Sequence, residues 1–80
     1  MLLNIDGMDK TIHHDEYKVF IKQLKKARKE AGLTQIQVAK KLGSTQAYIS
    51  KVEKSQLRVD VLELKRLAKI YGKAIGYFLK

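Results

Sequence analysis

The chain has no cysteine, no proline and few acidic residues. Without cysteine, neither a disulfide nor a thiolate metal site can add stability, so 80 residues must rely on one compact, well-packed core. No stretch approaches the roughly 18 consecutive apolar residues that span a bilayer. The N-terminus has no apolar run of signal-peptide length, and the expectation is a soluble, cytoplasmic protein. Acid is the most informative shortage: eight Asp and Glu stand against 17 Lys and Arg, a net charge of +9. In one small domain such a charge costs self-repulsion that a polyanion would relieve. Nucleic acid, an anionic membrane and an acidic protein are the candidates, with nucleic acid favoured. A hydrophobic fraction of 45% is ordinary for a globular domain and argues against a disordered basic tail.

Signatures of catalysis and of cofactor binding are missing too. Ser50, an Asp and His13 or His14 supply the residue types of a triad. Nothing places the histidines near a serine, and there is neither a nucleophile elbow nor a glycine-rich phosphate loop. His13 and His14 are adjacent, so on a helix they point in different directions, and no further ligands accompany them. The chain reads as a non-enzyme without cofactor or metal.

What is present is helical periodicity. Residues 1–14 lack it, contain Gly7, and read as a flexible leader. From Asp15, a plausible N-cap, Phe20, Leu24, Ala27 and Ala31 recur on one face, with lysines on the other and Gly32 as the left-handed stop. A helix over 16–31 follows. Lys22, Lys25, Lys26 and Lys29 are mostly its solvated face. Thr34 caps a second helix, with Gln37 three residues on as the partner in a capping box, Val38, Ala39 and Leu42 inward, and Gly43 at the end. Ser44 or Thr45 caps a third. Its only apolar anchors are Ile49 and Val52, so a broad polar face is left over. After an irregular stretch over 55–59, Asp60 caps a fourth helix with Glu63 as box partner. Its stripe is Val61, Leu64, Leu67, Ala68 and Tyr71, and Gly72 stops it. A short last helix over 74–79 offers Ile75, Phe78 and Leu79. The fold class is all-α, a five-helix bundle, with 15–80 as its single domain.

Two short helices joined by a tight turn at Gly43, with Ala39 permitting close approach, form a helix-turn-helix. A third helix held only by Ile49 and Val52 has its N-terminus free. Its N–H groups attract phosphate, and its first side chains can reach base edges in the major groove.

The run Gly32-Leu33-Thr34-Gln35, then Val38-Ala39, Leu42-Gly43, Ile49-Ser50 and Glu53, resembles the lambda-repressor-like, XRE/Cro family. The match continues through Arg58, Asp60-Val61, Leu64, Leu67-Ala68 and Gly72, and covers roughly residues 20–79. The resemblance implies a five-helix fold whose third helix reads DNA. It places Gln35 on a phosphate while bracing Gln46, and Gln46 on a base, where a Gln amide pairs bidentately with adenine. Thr45, Ala47, Tyr48, Ser50 and Lys51 lie where members of the family contact bases or backbone. Tyr48 is equally readable as a partly packed aromatic. Lys54 and Arg58 suit phosphate. Arg28 and Glu53 correspond to a largely buried ion pair that orients the recognition helix. Departures are Ser55 at a usual glycine, Leu57 at a frequent arginine, Lys73-Ala74 where a Val and a capping Ser or Thr are common, and Ile36 at an often polar position.

The functional expectation is a sequence-specific transcriptional regulator, a repressor binding palindromic double-stranded DNA as a homodimer. Its last helix is the candidate dimer surface. An antitoxin that binds a toxin protein as well as its own operator, a restriction-modification controller, and a protein-interaction scaffold without specific DNA binding are the alternatives.

Overall fold

The structure, a computed structural model, describes the backbone of residues 2–79 and the side chains of residues 16–79. Four α-helices are present among the described residues: α1 (Leu2–Glu30), α2 (Gln35–Leu42), α3 (Gln46–Glu53) and α4 (Val61–Tyr71). They are followed by a 3₁₀ segment, Ile75–Leu79. No strand occurs among these residues.

Two expectations change. The fifth helix is not an α-helix but a single 3₁₀ stretch, so the α-helix count is four. Its sequence Ile-Gly-Tyr-Phe-Leu joins a glycine to aromatic and β-branched residues. Five residues of that kind are too few to offset the cost of α-nucleation, and the Tyr77 N–H instead donates to Ala74 O at 3.0 Å, one turn of the tighter type. The second change is the start of α1. The backbone is already helical at Leu2, so the segment read as a leader continues the helix and Asp15 lies inside it. No proline interrupts residues 2–15, and Gly7 alone costs a helix only about 1 kcal/mol. Periodicity marks where a helix begins to pack, which is not where it must begin. Met1 and the side chains of His13 and His14 lie outside the described residues.

The core draws on every element. Ile21, Leu24 and Ala27 of α1 meet Val38 and Ala39 of α2, Ile49 and Val52 of α3, Leu64, Leu67, Ala68 and Tyr71 of α4, and Phe78. Phe78 lies in the final segment and is 2% exposed, so it anchors that segment despite the irregular backbone. In α1 the buried stripe is Ile21, Leu24 and Ala27, with Phe20 half-buried at its edge. Ala31 is exposed because it falls beyond the last helical residue. In α4, Val61 belongs to the expected stripe by spacing yet is 68% exposed, because the first turn overhangs the core.

The helix boundaries are chemical. Thr34 and Gln37 form the reciprocal box: the Gln37 N–H donates to Thr34 Oγ1 at 3.1 Å, and the Thr34 N–H donates to Gln37 Oε1 at 2.9 Å. Thr45, not Ser44, caps α3, its Oγ1 accepting from the Tyr48 N–H at 3.1 Å. Asp60 accepts from the Glu63 N–H at 2.8 Å, which is half of the box expected there. Gly32, Gly43 and Gly72 take φ of 72°, 74° and 70° at the ends of α1, α2 and α4.

Ser55 does the same work after α3 without being glycine. Its φ is 63°, its N–H donates to Val52 O at 3.0 Å, and the next N–H, that of Gln56, reaches back to Lys51 O at 2.8 Å. The bend is therefore the one a glycine would make, at the steric cost of a Cβ in the left-handed region. Ser55→Gly is expected to raise stability by about 0.5–1 kcal/mol, the relief of strain exceeding the added freedom of the unfolded chain. Thermal melts would show it, and a lower melting temperature would mean that Ser55 is not strained.

Candidate nucleic-acid interface

On α3 the buried residues are Ile49, Val52 and Glu53, and the exposed ones are Gln46, Ala47 and Lys51, with Ser50 half-buried between them. With Lys54 just past the helix end, Gln46, Ala47, Ser50, Lys51 and Lys54 occupy about 140° of the circumference at 3.6 residues per turn. This is the leftover face expected from the two-anchor pattern. Tyr48 lies off it, half-buried against the core. Burial pushes its hydroxyl above the ordinary tyrosine value, with Glu63 and Asp60 adding to the effect. Capping by Thr45 leaves the N–H groups of Gln46 and Ala47 without intrahelical partners at an exposed helix start.

A chain of hydrogen bonds runs from the core to that start. Arg28 donates through Nε to Glu53 Oε2 at 2.7 Å and through Nη2 to Glu53 Oε1 at 3.0 Å, the fork geometry of a strong pair. A third donor, Nη1, reaches Leu33 O at 3.0 Å in the α1–α2 link. The side chains are 13% and 6% exposed. Bonded to it, Glu53 holds the Arg28 pKa above its ordinary value, against the opposing effect of burial. Tyr71 lies close by in the core. Burial, reinforced by the charge of Glu53, pushes its hydroxyl up to about 12.

From Glu53 the chain continues outward. Gln35 Nε2 donates to Glu53 Oε1 at 3.0 Å, and Gln46 Nε2 donates to Gln35 Oε1 at 2.7 Å. The polarity of this relay is dictated at its buried end. An ionised carboxylate only accepts, so Gln35 must turn its NH₂ toward Glu53 and its carbonyl toward Gln46. Gln46 must then donate to Gln35, which leaves its own Oε1 and its second N–H for something outside the protein. Those two groups are the acceptor–donor pair that matches the N6 and N7 edge of adenine.

The loop after α3 is held by a residue that sequence reasoning missed. Tyr17 of α1 lies under the Arg58 guanidinium in a cation–π contact, the guanidinium carbon 4.3 Å from the ring centre, and its O–H donates to Leu57 O at 3.4 Å. The signal was present: Tyr17, Phe20 and Leu24 continue the α1 stripe backward at helical spacing, and the Tyr17 and Phe20 rings meet at 5.4 Å. At the other end of the bundle, Lys73 bonds Glu30 at 3.0 Å and lies 4.7 Å over the Tyr77 ring. The lysine that departs from the usual apolar residue thus ties the final segment to α1.

The sequence-derived site therefore divides by position. Gln35, Thr45, Gln46, Ala47, Ser50 and Lys51 gather at the α2 and α3 surface, Lys54 and Arg58 lie in the loop beside it, Tyr48 leans on the core, and Arg28 and Glu53 brace the set from below.

Comparison with known proteins identifies the fold and the family. The helix-turn-helix family model matches residues 24–78. A solved structure of an XRE-family like protein from Pseudomonas syringae pv. tomato str. DC3000 superposes with a TM-score of 0.86 at 34% identity, over 91% of this chain and 89% of that one. The chain belongs to the XRE family of helix-turn-helix proteins. No curated protein matches it. Membership supports a DNA-binding regulator, in a family that is generally non-enzymatic. No helix among the described residues is long and apolar enough to cross a membrane.

Proposed function

We propose that this XRE-family protein is a sequence-specific repressor that binds a palindromic operator as a homodimer in the cytoplasm. Each α3 enters a major groove, with half-site centres one turn of duplex apart. Gln46 reads a base. Thr45, Ala47, Ser50, Lys51 and the edge of Tyr48 line the groove wall, and Gln35, Lys54 and Arg58 take phosphates. Repression is occlusion of a promoter. The observation that carries this reading is the relay from Arg28 and Glu53 through Gln35 to Gln46, which fixes the orientation of one exposed amide at the start of α3. A merely solvated glutamine has no need of such support. The dimer draws support from large apolar side chains left exposed: Leu57, Val61 and Leu62 around the start of α4, and Ile75 and Leu79 in the final segment.

The test is selection of bound fragments from the source genome at low and at high salt. A palindromic site that survives high salt, upstream of the protein's own gene, is the expected result. Sequence-blind binding that vanishes as salt rises would sink the specific-repressor reading, because phosphate contacts alone release counterions and weaken in that way.

A further inference from the structure

Between α1 and the loop after α3 lies a hollow of about 330 Å³ lined by Tyr17, Lys18, Lys54, Ser55 and Arg58. Three cations from two separate elements converge there with no acid in the lining. None of the three is in an ion pair among the described residues. Glu16 lines a separate hollow that shares Tyr17 and Arg58 with this one.

Two features show that the cluster is shaped rather than merely crowded. Arg58 does not extend freely into solvent: its guanidinium carbon lies over the Tyr17 ring, 4.3 Å from the centre, a cation–π contact that restrains the group while leaving N–H donors for an acceptor. Ser55 occupies a left-handed φ of 63° where a glycine would make the same bend without strain, and it lines the hollow. A residue kept in a costly conformation next to converging charges points to a role for its side chain, here a hydroxyl donor among three cations.

We propose that Lys18, Lys54, Ser55 and Arg58, with Tyr17 as a positioning residue, form a seat for one backbone phosphate of duplex DNA. The α1 helix is then part of the DNA interface and not only its support. The seat rests on the DNA-binding reading above and extends it to Tyr17 and Lys18 of α1 and to Ser55 after α3.

The experiment measures binding of the full chain to a short mixed-sequence duplex across a salt series. Lys18→Ala is expected to make the slope of log affinity against log salt shallower by about 0.9, one phosphate's worth, and Arg58→Ala to do the same. Lys69→Ala, near the C-terminal end of α4, leaves the slope unchanged. Tyr17→Leu keeps every charge but frees Arg58, and weakens binding about two- to five-fold, whereas Tyr17→Phe retains the ring and stays near the parent. Ser55→Gly weakens binding although it stabilises the fold. A parent protein with a steep slope and a Lys18→Ala variant with the same slope overturns the seat and leaves DNA binding standing. A parent with no salt-dependent binding overturns the reading beneath it. Inorganic phosphate titrated alone separates the two sources of the anion. Saturable NMR shifts confined to residues 54–58, with no change in duplex slope for Lys18→Ala, would make this a small-anion site and overturn the duplex assignment.

Discussion

Glu53→Ala is expected to lower stability by about 3–5 kcal/mol, the range for removing one partner of a buried ion pair. In a domain of this size that is a fall in melting temperature of roughly 12 °C or more. The size follows from what is left behind. Arg28, 13% exposed at its side chain, would keep only its bond to Leu33 O, and Gln35 would lose its acceptor. The charge of Arg28 would stay where it is, because a guanidinium does not deprotonate to escape burial. An unchanged melting curve would place the pair in effect at the surface. If the alanine variant fails to fold, Glu53→Gln serves instead: it preserves shape and removes the charge, and its melting temperature should also fall, by less. A double change, Arg28→Met with Glu53→Leu, separates stability from function. Apolar replacement of a buried pair is often neutral or stabilising, so the fold should recover. Gln35 would still lack the carboxylate that sets its amide, and discrimination among DNA sequences should not recover. Recovery of both would mean that the pair has no orienting role.

How much of this was legible beforehand depended on sequence distance. Thr34 with Gln37, Thr45, Gly43, Asp60 and Gly72 act within a turn of themselves, and each boundary is where its residue chemistry puts it. The third helix's outward face was legible for the same reason, since two apolar anchors in eight residues leave most of its surface outside the core. The Arg28–Glu53 pair spans 25 residues and was visible only through family resemblance, because nothing local to either residue announces the other. The Tyr17–Arg58 contact went unseen for a similar reason. Its two members lie on either side of the helix-turn-helix, and the contact depends on how α1 is rotated against a loop. Val61 and Ala31 show a further limit. Periodicity gives the direction of a side chain around its axis but not whether the core extends that far along it. The final segment offers Ile75, Phe78 and Leu79 as a short helix would, and over five residues the three-residue step from Ile75 to Phe78 suits a 3₁₀ turn as well.

Gln46→Ala is expected to reduce discrimination at one base pair of each half-site by about 1–3 kcal/mol, roughly five- to 150-fold, with little change in non-specific affinity or in the salt slope. The alanine removes an amide whose free Oε1 and N–H are its only groups not committed to the protein. Because Gln35 stays bonded to Glu53, and Gln46 is exposed, the fold itself should change by no more than about 0.5 kcal/mol. The comparison that gives this its force is Arg58→Ala. An arginine on a phosphate carries no sequence information, so its loss should weaken every duplex by a similar factor and make the salt slope shallower. The two variants should therefore be opposite in kind: one changes the ratio between sequences, the other the common level. Competition binding against a panel of single-base variants of the selected site reads both quantities at once. If Gln46→Ala lowers all sequences equally while Arg58→Ala alters the ratios, the readout lies in the loop and not at the start of α3. The relay from Glu53 would then be bracing a phosphate contact, and the base-reading groups would have to be sought in that loop, at Arg58 itself and at Lys54 beside it.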